Sequence, residues 1–415
     1  MSLREVDIAI IGGGTAGMSA YREVRKHTDS IALIEGGPFG TTCARVGCMP
    51  SKLLIAPAQA RHQLSLLPAF GIHSDAGKVD GRAVMRRVRE ERDRFVGFVL
   101  DAVDSFDLAH IVRARAAFED PHTLVLTADD DGNVPAFDRI RAKRIIIATG
   151  SRPNIPDAFK AAGDRLVVND DVFDWDDLPN SVAVFGTGVI GLELGQALHR
   201  LGVRVHVFGR GGRITGLSDP SVLAEAARIF TEELTTHLDA RELRVERDRD
   251  SVLAHFSGAG GEQHSERFDY LLAATGRTPN VDALQLQHTG LALDARGVPL
   301  FDAQTMQAGD SHIFIAGDAN AERPILHEAA DEGQLAGRNA AGYPAVRKHA
   351  RRTPLGIMFT EPQVAYVGKS HEQLLADDTA FAVGEVSFHD QGRSRVMLVN
   401  QGLLRVYGEA GSGLL

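Results

Sequence analysis

Short apolar runs punctuate this chain, and several of them run straight into glycine. Ile8-Ala9-Ile10-Ile11 leads into Gly12-Gly13-Gly14-Thr15-Ala16-Gly17, and Val182-Ala183-Val184-Phe185 leads into Gly186-Thr187-Gly188-Val189-Ile190-Gly191. Runs of that length without polar alternation are the pattern of strands buried on both faces of a parallel sheet. A helix is expected after each glycine cluster. A second strand then follows, at Ile31-Ala32-Leu33-Ile34 and at Val203-Arg204-Val205-His206-Val207-Phe208. Strand, glycine turn, helix and strand therefore occur twice, with the two glycine turns 174 residues apart.

The glycine spacing gives both units a chemistry. Glycines 12, 14 and 17, and again 186, 188 and 191, form the GxGxxG pattern. It permits a tight turn, close approach of backbone to a pyrophosphate, and packing of helix on sheet. The pyrophosphate then meets free N–H groups at the positive end of the helix. In the first unit Glu35 lies 18 residues past Gly17, where an acid for a ribose hydroxyl belongs. In the second unit the corresponding position is Gly209, followed by Arg210 and Arg213. With no acid there and two arginines close by, a 2′-phosphate fits and NADPH is expected; surface arginines beside an NADH site are the alternative.

Other patterns organise the rest of the chain. Residues about 82–104 read as an amphipathic helix, whose run Arg86, Arg87, Arg89, Glu90, Glu91 and Arg92 is expected to be a solvated face. Residues 110–146 alternate as β-hairpins, with a turn at Asp129-Asp130-Asp131-Gly132-Asn133 that lacks the further ligands of a calcium loop. Buried strands are expected at Arg144–Ile147 running into Ala148-Thr149-Gly150-Ser151, at Tyr270–Ala273 running into Ala274-Thr275-Gly276-Arg277, and at His312–Ile315 running into Ala316-Gly317-Asp318. An acid just past a strand, as Asp318 is, suits a hydrogen bond to a hydroxylated cofactor chain or a helix cap. From about residue 345, prolines and segments such as Phe381–Val383 and Val396–Val399 suggest an antiparallel sheet.

Composition narrows the function. At 415 residues the chain should hold two or three domains, and a net charge of −10 with interleaved signs argues against nucleic acid. No run reaches the 18 or so apolar residues of a membrane span, and the N-terminus lacks the pattern of a secretory signal, so a cytoplasmic protein is expected. Only two cysteines occur, Cys43 and Cys48. Two core cysteines would be neighbours only by chance, a zinc would need about four ligands, and a structural disulfide suits a reducing compartment poorly. What remains is a redox dithiol beside a nucleotide site. No metal site is expected.

These residues resemble the flavin-dependent pyridine nucleotide–disulfide oxidoreductases, above all their dihydrolipoyl dehydrogenase branch. The resemblance covers essentially the whole chain. It rests on Cys43-Ala44-Arg45-Val46-Gly47-Cys48-Met49-Pro50-Ser51-Lys52, Ala148-Thr149-Gly150-Ser151-Arg152-Pro153, Gly276-Arg277-Thr278-Pro279-Asn280, Ala316-Gly317-Asp318 and Met358-Phe359-Thr360-Glu361-Pro362. It implies an α/β fold with two Rossmann-like dinucleotide-binding domains and a C-terminal α+β dimerisation domain. Residues 1–150 and 276–345 would bind FAD, 151–275 would bind NAD(P), and 346–415 would be a partial dimerisation domain.

By the same resemblance FAD would lie on Gly12, Gly14, Gly17, Glu35, Lys52 and Asp318, and NAD or NADP on Gly186, Gly188 and Gly191. Thr42, Thr149, Gly150, Gly276, Arg277 and Gly317 are further expected cofactor-binding residues, beside Arg210. Cys43 would attack substrate, Cys48 would stack against the flavin, and Lys52 would pair with Glu193 near the flavin's reactive nitrogen. A homodimer acting on a small dithiol or disulfide, such as a protein-bound lipoyl group, is implied, with glutathione reductase, mercuric reductase or a flavin-bound non-catalytic partner as rivals. Two departures stand out besides Gly209. Thr41 replaces the second glycine of a Gly-Gly-x-Cys. The family's acid–base histidine sits in a His-Pro motif, and none of the 16 histidines here precedes proline. The chain is thus expected to stop short of that segment, with weak disulfide turnover.

Overall fold

The computed structural model describes residues 2–73, 77–214, 216–258 and 260–414. They form two compact units: Met1–Arg45, Asp93–Arg152 and Arg277–Arg352 in the first, Val46–Arg92, Pro153–Gly276 and Thr353–Leu415 in the second.

The first unit is built on strand Leu3–Ile11, which pairs in parallel with Ile31–Glu35 on one side and Arg139–Ile147 on the other. Ile111–Arg113 and Ile313–Ile315 extend the sheet in parallel beyond those two. Successive side chains of the central strand leave on opposite faces. Ile8 and Ile10 enter one core with Met18, Tyr21 and Phe314, while Ala9 and Ile11 enter another with Phe118, Leu124 and Ile313. A strand buried on both faces cannot alternate, which is why its sequence reads as one apolar run. The hairpin region resolves as Arg115–Asp120 antiparallel to Thr123–Thr127, itself antiparallel to Arg139–Ile147.

The second unit repeats the plan. Ser181–Phe185 is flanked in parallel by Arg204–Phe208 and Tyr270–Ala273, with Thr235–His237 and Leu166–Val167 at the edges. Val182 and Val184 face a core with Leu192, Leu198 and Phe230; Ala183 and Phe185 face another with Phe256 and Phe268. Two expectations fail here. Arg89 donates to the Trp175 carbonyl, and Arg92 pairs with Asp174 at 2.5 Å, so two of the six residues in the charged run on helix Gly81–Asp104 grip residues 173–175 instead of facing water. Val396–Val399 is no strand either: Val396 ends the short helix Gly392–Val396, and Leu398 has φ +56°. The antiparallel pair forms instead between Phe381–Ser387 and Leu403–Glu409, alongside a second hairpin of Leu355–Met358 with Val364–Val367. A short continuous apolar run does not by itself choose strand over helix.

Candidate functional site

The two glycine turns are nearly superposable in their constraints. Gly12 has φ +107° and Gly186 φ +126°, a region that L-residues with side chains rarely enter. A Cβ on Gly17 would stand 1.8 Å from the Gly12 carbonyl oxygen, and one on Gly191 would stand 2.0 Å from that of Gly186. Each turn therefore closes directly into a helix, Thr15–Val24 and Val189–Arg200, whose first N–H groups have no intrahelical acceptor.

In the first unit the turn forms the floor of a cavity of about 1060 Å³. Gly12, Gly14, Glu35, Thr42, Thr149 and Gly150 line it, so six of the expected cofactor residues share one space. Gly14 has nothing within 4 Å of where a Cβ would be. The Glu35 carboxylate accepts from the N–H groups of Gly13 and Gly37, both at 2.6 Å, which fixes it at the end of its strand. Thr149 Oγ1 is buried and has no hydrogen-bond partner among the described residues. A buried hydroxyl without a partner costs about 1–3 kcal/mol, so this atom is suited to a ligand group.

Asp318 and Arg277 meet through a residue outside the expected set. Ser151 Oγ donates to Asp318 Oδ2 at 2.7 Å, and Arg277 Nε donates to Ser151 Oγ at 2.8 Å. Gly317 and its turn are held by Glu332, whose Oε2 accepts from Gly317 N–H and Asn320 Nδ2. Burial pushes the Glu332 carboxyl upward, against the pull of Arg351. Nothing in the sequence singles out Glu332, because its role depends on the Leu326–Gly342 helix packing beside that turn. Gly276, at φ +104°, falls in the second unit, where its carbonyl accepts from Asn154 N–H.

The second unit carries the other expected pair. Lys52 Nζ lies 2.8 Å from Glu193 Oε2, with Glu193 only 4% exposed and Lys52 34%. Glu193 Oε1 accepts from Phe359 N–H at 2.8 Å, and Lys52 Nζ sits 4.5 Å from the centre of the Phe359 ring. Lys52 also donates to Ser51 Oγ at 3.3 Å, and Ser51 donates to the Cys48 carbonyl at 3.1 Å. Asn169, buried, donates to the Val46 carbonyl at 2.8 Å. Cys43 lies in the short helix Thr42–Val46 and Cys48 opens the helix Cys48–Leu66; both are half-buried. Beside Gly209, the loop of the exposed Arg210 is bonded by a carboxylate the sequence did not flag, from the turn after strand Thr235–His237. Asp239 accepts from Gly211 N–H at 3.0 Å and from Arg241 at 2.7 Å. Among the described residues no three His, Cys, Asp or Glu are arranged to hold a metal.

Two glycine-turn sheets, a cavity floored by one of them, and a lysine paired with a buried glutamate beyond a two-cysteine motif define a dinucleotide-binding oxidoreductase of the α/β class. The chain belongs to the pyridine nucleotide-disulphide oxidoreductases, whose pattern it matches over residues 6–333. It is 31% identical to a mercuric reductase of Streptomyces lividans, covering 99% of this chain and 85% of that one. A mercuric reductase of Bacillus cereus is 31% identical over 89% of this chain, which spans 57% of that relative's length. A dihydrolipoyl dehydrogenase of Bacillus subtilis (strain 168) is 27% identical, covering 97% of this chain and 86% of that one.

In fold the chain is similar to LpdA from Mycobacterium tuberculosis, with a TM-score of 0.81, 24% identity, and 98% and 88% of the two chains covered. It is also similar to the flavoprotein disulfide reductase RclA from Escherichia coli, with a TM-score of 0.79, 21% identity, and 98% and 87% covered. The family uses FAD and NAD(P)H, and its members are typically homodimers. The residues present fit the first of these cofactors. The Gly12–Gly14 backbone, the open face of Gly14, the Glu35 carboxylate and the unpartnered Thr149 hydroxyl all line one cavity large enough to take most of a dinucleotide. No helix among the described residues is long and apolar enough to cross a membrane.

Proposed function

We propose that this chain is an FAD-dependent dithiol/disulfide oxidoreductase of the dihydrolipoyl dehydrogenase type, working in the cytoplasm. Its substrate is a small dithiol or disulfide such as a protein-bound lipoyl group. The supporting observation is the Lys52–Glu193 ion pair one helical turn beyond Cys48. An ammonium at i+4 from a cysteine favours its thiolate, and the thiolate is the reactive form. In the reducing direction NAD(P)H and one proton convert a disulfide to two thiols. The Cys43–Cys48 bond takes two electrons and opens. The Cys43 thiolate attacks the substrate disulfide and releases one thiol, which takes up the proton. The Cys48 thiolate then attacks Cys43 Sγ, displaces the second substrate sulfur, which takes the proton delivered with the hydride, and re-forms the bond.

Bound FAD supplies the two-electron relay between nicotinamide and sulfur. In this reading residues 1–150 and 276–345 hold it, through Gly12, Gly14, Gly17, Glu35, Thr42, Thr149, Gly150, Arg277, Gly317 and Asp318. Residues 151–275 hold NAD(P) through Gly186, Gly188 and Gly191, and Lys52 carries positive charge for the reduced cofactor. Anaerobic titration with NADH and NADPH tests this. Bleaching of the flavin with growth of a long-wavelength band is expected, and NADPH should act at lower concentration because Arg210 suits a 2′-phosphate. A flavin that neither nucleotide reduces would leave only a binding role.

A second reading, reduction of a thiophilic metal ion by the same dithiol, is favoured by the higher identity to the mercuric reductases, 31% against 27% for the B. subtilis dihydrolipoyl dehydrogenase. Two thiolates are suitable soft ligands for such an ion. Parallel assays with dihydrolipoamide plus NAD⁺ and with Hg(II) plus NADPH separate the two.

A further inference from the structure

One face of the Val189–Arg200 helix clamps a short strap of chain at 359–361. Glu193, Gln196 and Arg200 are three and four residues apart and so share that face. Glu193 takes the Phe359 N–H. Gln196 Oε1 accepts from Glu361 N–H, and Gln196 Nε2 donates to the Glu361 carbonyl, both at 2.8 Å. Arg200, 5% exposed, pairs with the Glu361 carboxylate at 2.6 Å. These contacts leave the strap no freedom to slide along the helix, and they set the Phe359 ring against the Lys52 ammonium.

We infer that Phe359 is a positioning residue for Lys52 and, through Lys52 and Ser51, for the Cys48 turn. Its N–H and its ring act on the two ends of one ion pair. The N–H holds Glu193 Oε1 while Lys52 takes Oε2, so the carboxylate cannot rotate away from the ammonium. The electron-rich face of the ring attracts the ammonium in a place partly withdrawn from water. The charged group facing Lys52 is Glu193, and the chain of donors runs from Lys52 through Ser51 to the Cys48 carbonyl. A held ammonium lowers the cost of a thiolate at Cys48, one turn away on the same helix face. The inference rests on the reading of Cys43 and Cys48 as the redox pair.

The test uses the holoprotein reduced anaerobically with NAD(P)H, and follows alkylation of each cysteine by iodoacetamide, peptide by peptide, by mass spectrometry across pH. Phe359→Leu keeps the N–H and removes the ring. Cys48 should then react roughly three- to tenfold more slowly at pH 7, with its half-maximal rate displaced to higher pH. Phe359→Tyr restores the ring and should react within about twofold of wild type. Phe359→Met, flexible and of similar bulk, serves in place of the leucine variant should that one not fold. If the ring-less variant alkylates like wild type at every pH, the inference is overturned while the redox reading stands. If wild type itself gains no alkylatable thiols on NAD(P)H treatment, the redox reading falls and takes the inference with it.

Discussion

Thr41 carries a β-branched side chain on backbone at φ +59°, two residues before Cys43. That region costs a residue other than glycine about 1–2 kcal/mol. Part of this is returned, because Thr41 Oγ1 accepts from Ala44 N–H at 3.2 Å and so caps the helix that carries Cys43. The departure from a Gly-Gly-x-Cys therefore keeps the backbone shape and replaces glycine's freedom with a hydroxyl cap. Asparagine tolerates the left-handed region better and can accept the same bond. Thr41→Asn should raise unfolding stability by about 0.5–1 kcal/mol, whereas Thr41→Ala should lower it by about 1 kcal/mol, as read by urea denaturation. The motif around Cys43 and Cys48 was readable from residue types and spacing. The hydrogen bonds from Asn169 and Phe359 were not, since both residues arrive from distant parts of the chain.

At the level of elements, the two glycine turns make separable predictions. A methyl on Gly17 or Gly191 would collide with a backbone oxygen that cannot move without opening the turn. Gly17→Ala should yield protein that purifies without flavin. Gly191→Ala should keep the flavin absorbance yet need at least about a hundredfold more NAD(P)H to reduce it, given the several kcal/mol that such a clash displaces.

A third element-level prediction concerns the Thr235–His237 edge strand. His237 stacks on Phe208 with centroids 4.8 Å apart and lies 3.3 Å from His206. Burial, then the neighbouring histidines, push its pKa down to about 4. The unfolded chain, with histidine near 6.5, therefore binds the extra proton between those values. Stability contributed by neutral His237 is complete above about pH 6.5, falls as the pH drops through this window, and is gone below about 4. His237→Phe should reduce proton uptake on unfolding at pH 5 by about one, measured as the slope of unfolding free energy against pH. His206, His199 and His312, also lowered by burial, keep part of that slope.

For the whole molecule, the C-terminal hairpins leave much apolar surface in water. Val367, Val386 and Leu404 are each between 46% and 72% exposed. Isolated exposed apolar residues are ordinary, but a concentration of them on paired strands marks an interface. The protein should sediment as a homodimer, and Val386→Asp combined with Leu404→Asp should shift it to monomer at micromolar concentration without lowering flavin content.

The sequence by itself determined the two nucleotide units, because a strand buried on both faces must be uniformly apolar and turns at φ +107° and +126° that close onto a helix favour glycine. Both demands are local, so they are written at fixed spacing. It also singled out Cys43 and Cys48 as the candidate redox pair, through the rarity of cysteine. Tertiary structure alone decided which groups serve those motifs. Ser151 joining Asp318 to Arg277, Glu332 holding the Gly317 turn, and Phe359 set against Lys52 are contacts between segments from 15 to more than 300 residues apart. No local pattern encodes them, since their partners are chosen by how helices pack on sheets and not by the residues on either side.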